Sequence, residues 1–294
     1  IFEKDRLNFE QLTLASPHSH LNITGSLDHF THPELSLDVR GSLDAAEVGK
    51  LFKLPQISAG DFVLAGQGHY RNHLYDFAGS ISGRHFAYHS GNFQIENVSL
   101  QSDVQVSPKG VQFQKLMANA AGSRITGKAE LSRFTHFKMD GRIDGLAIRN
   151  GARFFTDRPL AWGGVASGPI QVEGQVDRAA KDFKIGAQLQ IVPDAQGIAI
   201  KGFVDAAYNQ REDTLRLASS HLEFPHSTLD ASGTLSQHMD ITFDTTDLSD
   251  LEPAIALAVL CDTPIDVVER ALLLPGAEIA LILAKVAEFP ATRT

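Results

Sequence analysis

Cysteine is nearly absent: the 294-residue chain has one, Cys261. A single thiol excludes an intramolecular disulfide and any cysteine-based metal cluster. It does not decide the compartment, because a protein stabilised by hydrogen-bonded ladders needs no disulfides in an oxidising one. Basic stripes are also missing. Lys and Arg number 26 against 35 Asp and Glu, for a net charge of −9 and a pI near 5.7. That balance argues against a nucleic-acid footprint and would repel an anionic membrane surface. Long hydrophobic runs are lacking too. The stretch from Ile279 to Ala287 is interrupted by Lys285 and preceded by Glu278, and it is far too short to span a bilayer. The opening IFEKDRLNFEQLTLAS has no basic n-region, apolar core or initiator Met. It starts in mid-pattern and reads as an internal fragment. A Gly-x-Ser-x-Gly nucleophile elbow is absent.

What the chain does have is alternation. Apolar residues are 43% of the total and charged ones 21%, a globular balance. From the start to about residue 245 they fall at every second position: Leu21/Ile23, Leu35/Leu37/Val39, Phe62/Leu64, Phe93/Ile95, Val104/Val106, Val111/Phe113. The run Phe183/Ile185/Ala187/Leu189/Ile191 continues it, followed by Ile198/Ile200, Leu215/Leu217 and Met239/Ile241/Phe243. Period two with polar residues between is the pattern of strands that bury one face. Turn chemistry separates them, as in SPKG at Ser107–Gly110 and VPDAQG at Val192–Gly197. The lack of long helices between strands argues against a βαβ parallel sheet, and an antiparallel one is expected.

The chain also repeats itself. LTLASPHSHLNITGSLDHF from Leu12, LMANAAGSRITGKAELSRF from Leu116 and LRLASSHLEFPHSTLDASGTLSQHM from Leu215 share one order. Each has a strand, a Ser, a second strand, then a Gly and a short apolar-ended strand. The glycines are Gly25, Gly127 and Gly233, spaced by 102 and 106 residues. Downstream, each copy passes through another strand into a short helix. In the first, Asp44 is placed to cap, with Glu47 at the third helical position and Val48, Leu51 and Phe52 as an apolar stripe. In the third, Ser249 and Glu252 have the spacing of a capping box, with Pro253 beyond. Such a unit buries its own apolar face poorly and gains cover from stacked neighbours. The expected domains are a repetitive β-groove region over 1–258, with repeats near 10–112, 113–214 and a partial 215–258, and a helical tail over 259–294. In that tail Thr263 can cap a helix with Pro264 in its first turn and Ile265, Val268, Ala271 and Leu272 as its stripe, stopped by Pro275-Gly276.

STLDASGTL at Ser227–Leu235, LDAAEVGKLFKLP at Leu43–Pro55, TDLSDLEP at Thr246–Pro253 and RPLAWGGVASGPIQVEG at Arg158–Gly174 together resemble the AsmA-like and TamB (translocation and assembly module) proteins of the Gram-negative envelope. The resemblance covers roughly residues 10 to 256 and rests on patterns of small and apolar positions. It implies a taco-like β-groove lined with apolar side chains, in a periplasmic segment of a parent chain anchored in the inner membrane. It also implies a link to lipid movement between membranes and to outer-membrane protein assembly.

The remaining residue types point to structure before chemistry. His69/His73, His85/His89 and His18/His20 share strand faces, but nothing in their spacing predicts the three or four converging ligands of a zinc site. Asp38, Asp44, Asp140 and Asp144 are expected at turns and caps, and Trp162 and Tyr208 in the core. No catalytic residue, metal or cofactor is expected. Function is placed in the apolar faces. The expected fold is all-β: an elongated antiparallel repeat sheet with short interspersed helices. Its sixteen strands at about 4.8 Å spacing would extend about 75 Å. The residues expected to line the groove, with phospholipid acyl chains as partner, are Ile23, Leu37, Phe93, Ile95, Val104, Phe113, Ile185, Leu189, Ile200 and Leu217. The expected function is a non-enzymatic lipid conduit or scaffold supporting outer-membrane lipid transport or biogenesis. The alternative is an assembly module that pairs with client β-strands of outer-membrane proteins through a sheet edge.

Overall fold

A computed structural model describes residues 2–3, 5–51, 57–90, 93–153, 160–175, 182–235 and 237–251. The expected 259–294 helix, Phe52, Glu252 and Pro253 lie outside them. The described chain is all-β and mainly antiparallel, with two short α-helices and one 3-10 turn. It divides into two compact units, 1–144 with 171–181, and 145–170 with 182–294.

The first unit is an antiparallel meander. Its strands are β1 (Phe2–Glu3), β2 (Arg6–Ala15), β3 (His20–Asp28), β4 (Glu34–Asp44), β5 (Ile57–Arg71), β6 (Leu74–Ser90), β7 (Phe93–Ser107), β8 (Gly110–Ala120), β9 (Ser123–Ser132) and β10 (His136–Ala147, to Asp144 in this unit). Each pairs antiparallel with the next. Helix α1 (Ala45–Leu51) interrupts it between β4 and β5. Asp44 caps α1 as expected: its Oδ1 accepts the Glu47 backbone N–H at 2.8 Å. Ala45 at the start of α1 is fully buried.

The second unit opens with α2 (Ile148–Ala152) and β11 (Trp162–Gln175, to Ile170 in this unit). Then come β12 (Phe183–Pro193), the two-residue β13 (Ile198–Ala199), β14 (Lys201–Asn209), β15 (Thr214–Glu223), β16 (Ser227–Thr234) and β17 (His238–Thr245). β12 pairs with β14, and β14 to β17 form a meander. β13 runs parallel to β11, matching Trp162 with Ile198. This detour brings Ile200 into a small core with Ala166 and Ile191, against which Ile148, Trp162, Leu189, Val204, Leu222 and Phe224 pack.

The three parallel sequence stretches take one local form. β2–β3–β4 leads into α1, β8–β9–β10 into α2, and β15–β16–β17 into a 3-10 turn at Leu248–Leu251. The first strand of each triplet is bulged against the second, after Phe9, Phe113 and Leu217. Gly25, Gly127 and Gly233 sit on each middle strand beside the bulge. A Cβ there would overlap the carbonyl oxygen of Ser36, Asp140 and His238 respectively, on the third strand of the same triplet. The recurring glycine therefore records a close backbone approach.

Candidate functional site

Register places the apolar positions of the first unit on one face. Directly opposed residues form a row across nine strands: Leu12, Ile23, Val39, Gly66, Gly79, Val104, Phe113, Ala129 and Met139. A second row is Phe9, Gly25, Leu37, Gly68, Phe77, Val106, Val111, Leu131 and Phe137. A third, from Leu43, runs through Phe62, Gly83, Leu100, Ala118 and Ile125 to Ile143. Nine strands at 4.8 Å spacing make each full row about 40 Å long in the hydrogen-bonding direction. The glycines do not leave holes. Phe77 lies over Gly66 and Gly68, and Phe62 over Gly83. Phe62 also meets Phe86 with ring centroids 5.8 Å apart.

The opposite face is polar. One of its rows reads Thr24, Asp38, Gln67, Ala78, Gln105, Gln112, Glu130 and Lys138. Asp38 and Asp140 are mid-strand residues of this face, not caps, and Asp38 accepts from Gln67 Nε2 at 3.1 Å. Asp144, also on β10, pairs with Arg142 at 2.8 Å. Of the four acidic positions only Asp44 caps a helix, because period-two alternation sets the other three on the solvated face. Asp103 holds the Lys115 ammonium at 2.8 Å and pushes its pKa up. A shallow polar depression of 640 Å³ lies against Gln112, Lys115, Lys128, Glu130 and Lys138.

Cover over the apolar face is thin. Val104, Ala129 and Ile143 are buried, at 6%, 7% and 8% exposure. Most other members of the rows are half-buried, and Leu12 is 45% exposed. Of the expected lining residues, Ile23, Leu37, Val104 and Phe113 fall on these rows. Ile95 faces Tyr88 further along β7 and is half-buried. Phe93 lies on β7 opposite Ser90; its side chain is outside the described set.

In the second unit Ile200 is 6% exposed, inside the small core, and Leu189 packs on that core. Ile185 is 43% exposed, in a row with Tyr208 and Leu215, and Leu217 opposes Ala206 and Gly233. The ten positions thus belong to two faces. Trp162 is packed as expected, and its Nε1 donates to the Asp250 carbonyl at 3.0 Å. The Tyr208 hydroxyl donates to Asp213 at 3.2 Å, and burial raises its pKa.

Alternation alone did not reveal the buried serines on these faces. Ser102, 2% exposed, donates to the Gln114 carbonyl at 2.9 Å beside the β8 bulge. Ser220 accepts the Asp205 backbone N–H at 3.2 Å beside the β15 bulge. Where a bulge breaks the ladder, a small hydroxyl replaces a lost backbone partner. The signal in the sequence is a Ser where the pattern calls for an apolar residue.

Histidines pair with carboxylates across strands and turns: His69 with Asp76 at 3.2 Å, His89 with Glu96 at 3.1 Å and His221 with Asp230 at 2.7 Å. Among the described residues no three His, Cys, Asp or Glu side chains gather as metal ligands, and no helix is long and apolar enough to cross a membrane. No family model, curated protein or solved structure matches this chain.

Proposed function

We propose that the apolar face of the first unit holds lipid acyl chains, and that the chain is a non-enzymatic lipid-conduit or scaffold segment of a bacterial envelope protein. One observation carries this reading: apolar and glycine residues oppose one another without a break across nine strands, and most are only half-buried. A contiguous apolar surface of this extent that the fold covers only in part suits a binding surface. Acyl chains need no hydrogen-bond partner and no fixed sequence, which suits a lining of Leu, Ile, Val, Phe and Gly. On this reading the polar face meets water in the periplasm. The resemblance of the repeat to AsmA-like and TamB proteins points the same way.

Native mass spectrometry of the chain purified from bacteria without detergent tests it. Phospholipid adducts that survive gentle desolvation are expected. A lipid-free protein that instead captures β-strand peptides of outer-membrane proteins would overturn the reading in favour of edge pairing.

A further inference from the structure

We infer that the hairpin turns after β5, β7 and β9 form a rim of the first unit that binds the phosphate headgroups of the lipids whose acyl chains lie on its apolar face. The face then takes phospholipids in preference to neutral lipids. Headgroup binding at this rim presupposes acyl-chain binding by the face.

The first ground is a change in chemistry along the strands. The rows through Phe9 and Leu12 are apolar or glycine throughout. One step outward from Phe9, directly opposed residues read Leu7, Leu27, Leu35, Tyr70 and Tyr75. The Tyr70 hydroxyl lies 3.4 Å from Nδ1 of His73, in the turn between β5 and β6, and Tyr75 is 42% exposed. Cations come next: Arg71 at the end of β5, Lys109 between β7 and β8, and Arg133 between β9 and β10. A phospholipid presents acyl chain, interface and phosphate in the same order, and tyrosine suits the middle zone because its ring is apolar and its hydroxyl is not.

The second ground is charge. Arg71 is held by Glu34 at 2.9 Å. Lys109 and Arg133 have no carboxylate partner among the described residues. Their turns touch, since the Arg133 backbone N–H donates to the Lys109 carbonyl at 2.7 Å. On the polar face, by contrast, Lys128 and Lys138 directly oppose Asp140 and Glu130. Two neighbouring cations without a carboxylate suit a phosphate group. The third ground is the turn itself. Arg133 and Phe134 are the central residues of a turn closed by the Thr135 N–H on the Ser132 carbonyl at 3.1 Å, and their φ angles are 53° and 59°. Asn-Gly is the ordinary choice for two such positions. An exposed Arg and a Phe that is 45% exposed stand there instead. Side chains kept against local preference point to a contact that the fold itself does not use.

The test offers the delipidated full chain an equimolar mixture of dioleoylphosphatidylglycerol and dioleoylglycerol, which carry the same acyl chains with and without phosphate. Adducts are read by native mass spectrometry. The wild type is expected to favour the phospholipid about tenfold, as one retained charge-assisted hydrogen bond would give. Lys109→Gln with Arg133→Gln should bring the ratio close to one, with dioleoylglycerol uptake and the thermal midpoint unchanged. Lys128→Gln with Lys138→Gln removes the same charge from the polar face and should keep the preference. Equal uptake of the two lipids by the wild type, a preference that survives Lys109→Gln with Arg133→Gln, or the same loss in both double variants would overturn headgroup binding at the rim and leave acyl-chain binding standing. Uptake of neither lipid would overturn acyl-chain binding, and the rim's role with it.

Discussion

Gly25, Gly127 and Gly233 recur because a side chain at any of them would strike the neighbouring strand. Gly25→Ala and Gly127→Ala are expected to lower stability by about 1–3 kcal/mol, the range for forcing extra atoms into occupied space. Gly186 on β12 is the control, since a Cβ there meets nothing within 4 Å. Gly186→Ala is expected to be neutral or to stabilise by about 0.5–1 kcal/mol by restricting the unfolded chain. Urea denaturation of the three variants checks both signs, and equal losses would show that backbone approach is not what selects these glycines. Glu47 is a second residue with a defined role. Its Oε2 accepts the hydroxyls of Ser16 and Ser19, each at 2.5 Å, and its Oε1 accepts the His18 N–H at 3.2 Å. The Ser16 and Ser19 bonds lead in holding its carboxyl below the ordinary 4.5. A lowered carboxyl contributes stability that is fully present above 4.5 and lost as pH falls through the lowered value. The gap in thermal midpoint between wild type and Glu47→Gln should accordingly be constant near neutrality and close as the pH drops through that window.

At the scale of elements, the repeating strand triplet is written in period-two alternation with a Gly at fixed spacing. Both signals come from local sterics, so both were legible: Leu35/Leu37/Val39 did form β4, and Asp44 did cap α1. Bulges were not legible. A bulge shifts which residues oppose each other without changing the composition of either strand, so the pairing of Leu116 with Gly127, after Phe113 with Ala129, appears only in the register. The same blindness misplaced Asp38 and Asp140 at turns, since an Asp on a solvated strand face and an Asp at a cap look alike in sequence. The bulge beside Ser102 yields its own prediction. Ser102→Ala leaves the Gln114 carbonyl without this hydroxyl donor, which should cost about 1–3 kcal/mol. It should also raise amide hydrogen exchange in the flanking part of β8. A loss confined to global stability, with no local change in exchange, would mean that the serine fills space and does not hold the bulge.

For the molecule as a whole, alternation assigned each expected lining residue to an apolar face but could not say how much cover that face receives. Cover depends on contacts distant in sequence, such as the β13 detour that seals Ile200 against Ala166 and Ile191. The two situations are separable by charge. An Asp at Ile200 would bury a carboxylate with no partner, at a cost of several kcal/mol, and Ile200→Asp is expected to abolish the cooperative transition of the second unit. At Ile23 or Leu37, half-buried on the face of the first unit, an introduced carboxylate can stay hydrated at the open surface. Circular dichroism and the thermal midpoint of Ile23→Asp and Leu37→Asp should then remain near wild type. Each charge interrupts a row across which an acyl chain would lie, so phospholipid recovered in native mass spectra should fall severalfold in the same variants. Lipid loss with the fold retained is the pairing that a lipid-holding face requires. If Ile23→Asp and Leu37→Asp unfold the first unit as Ile200→Asp unfolds the second, the rows are an ordinary core and the acyl-chain reading fails. If they fold normally and keep their lipid, the lipid is held elsewhere and the rows are not its site.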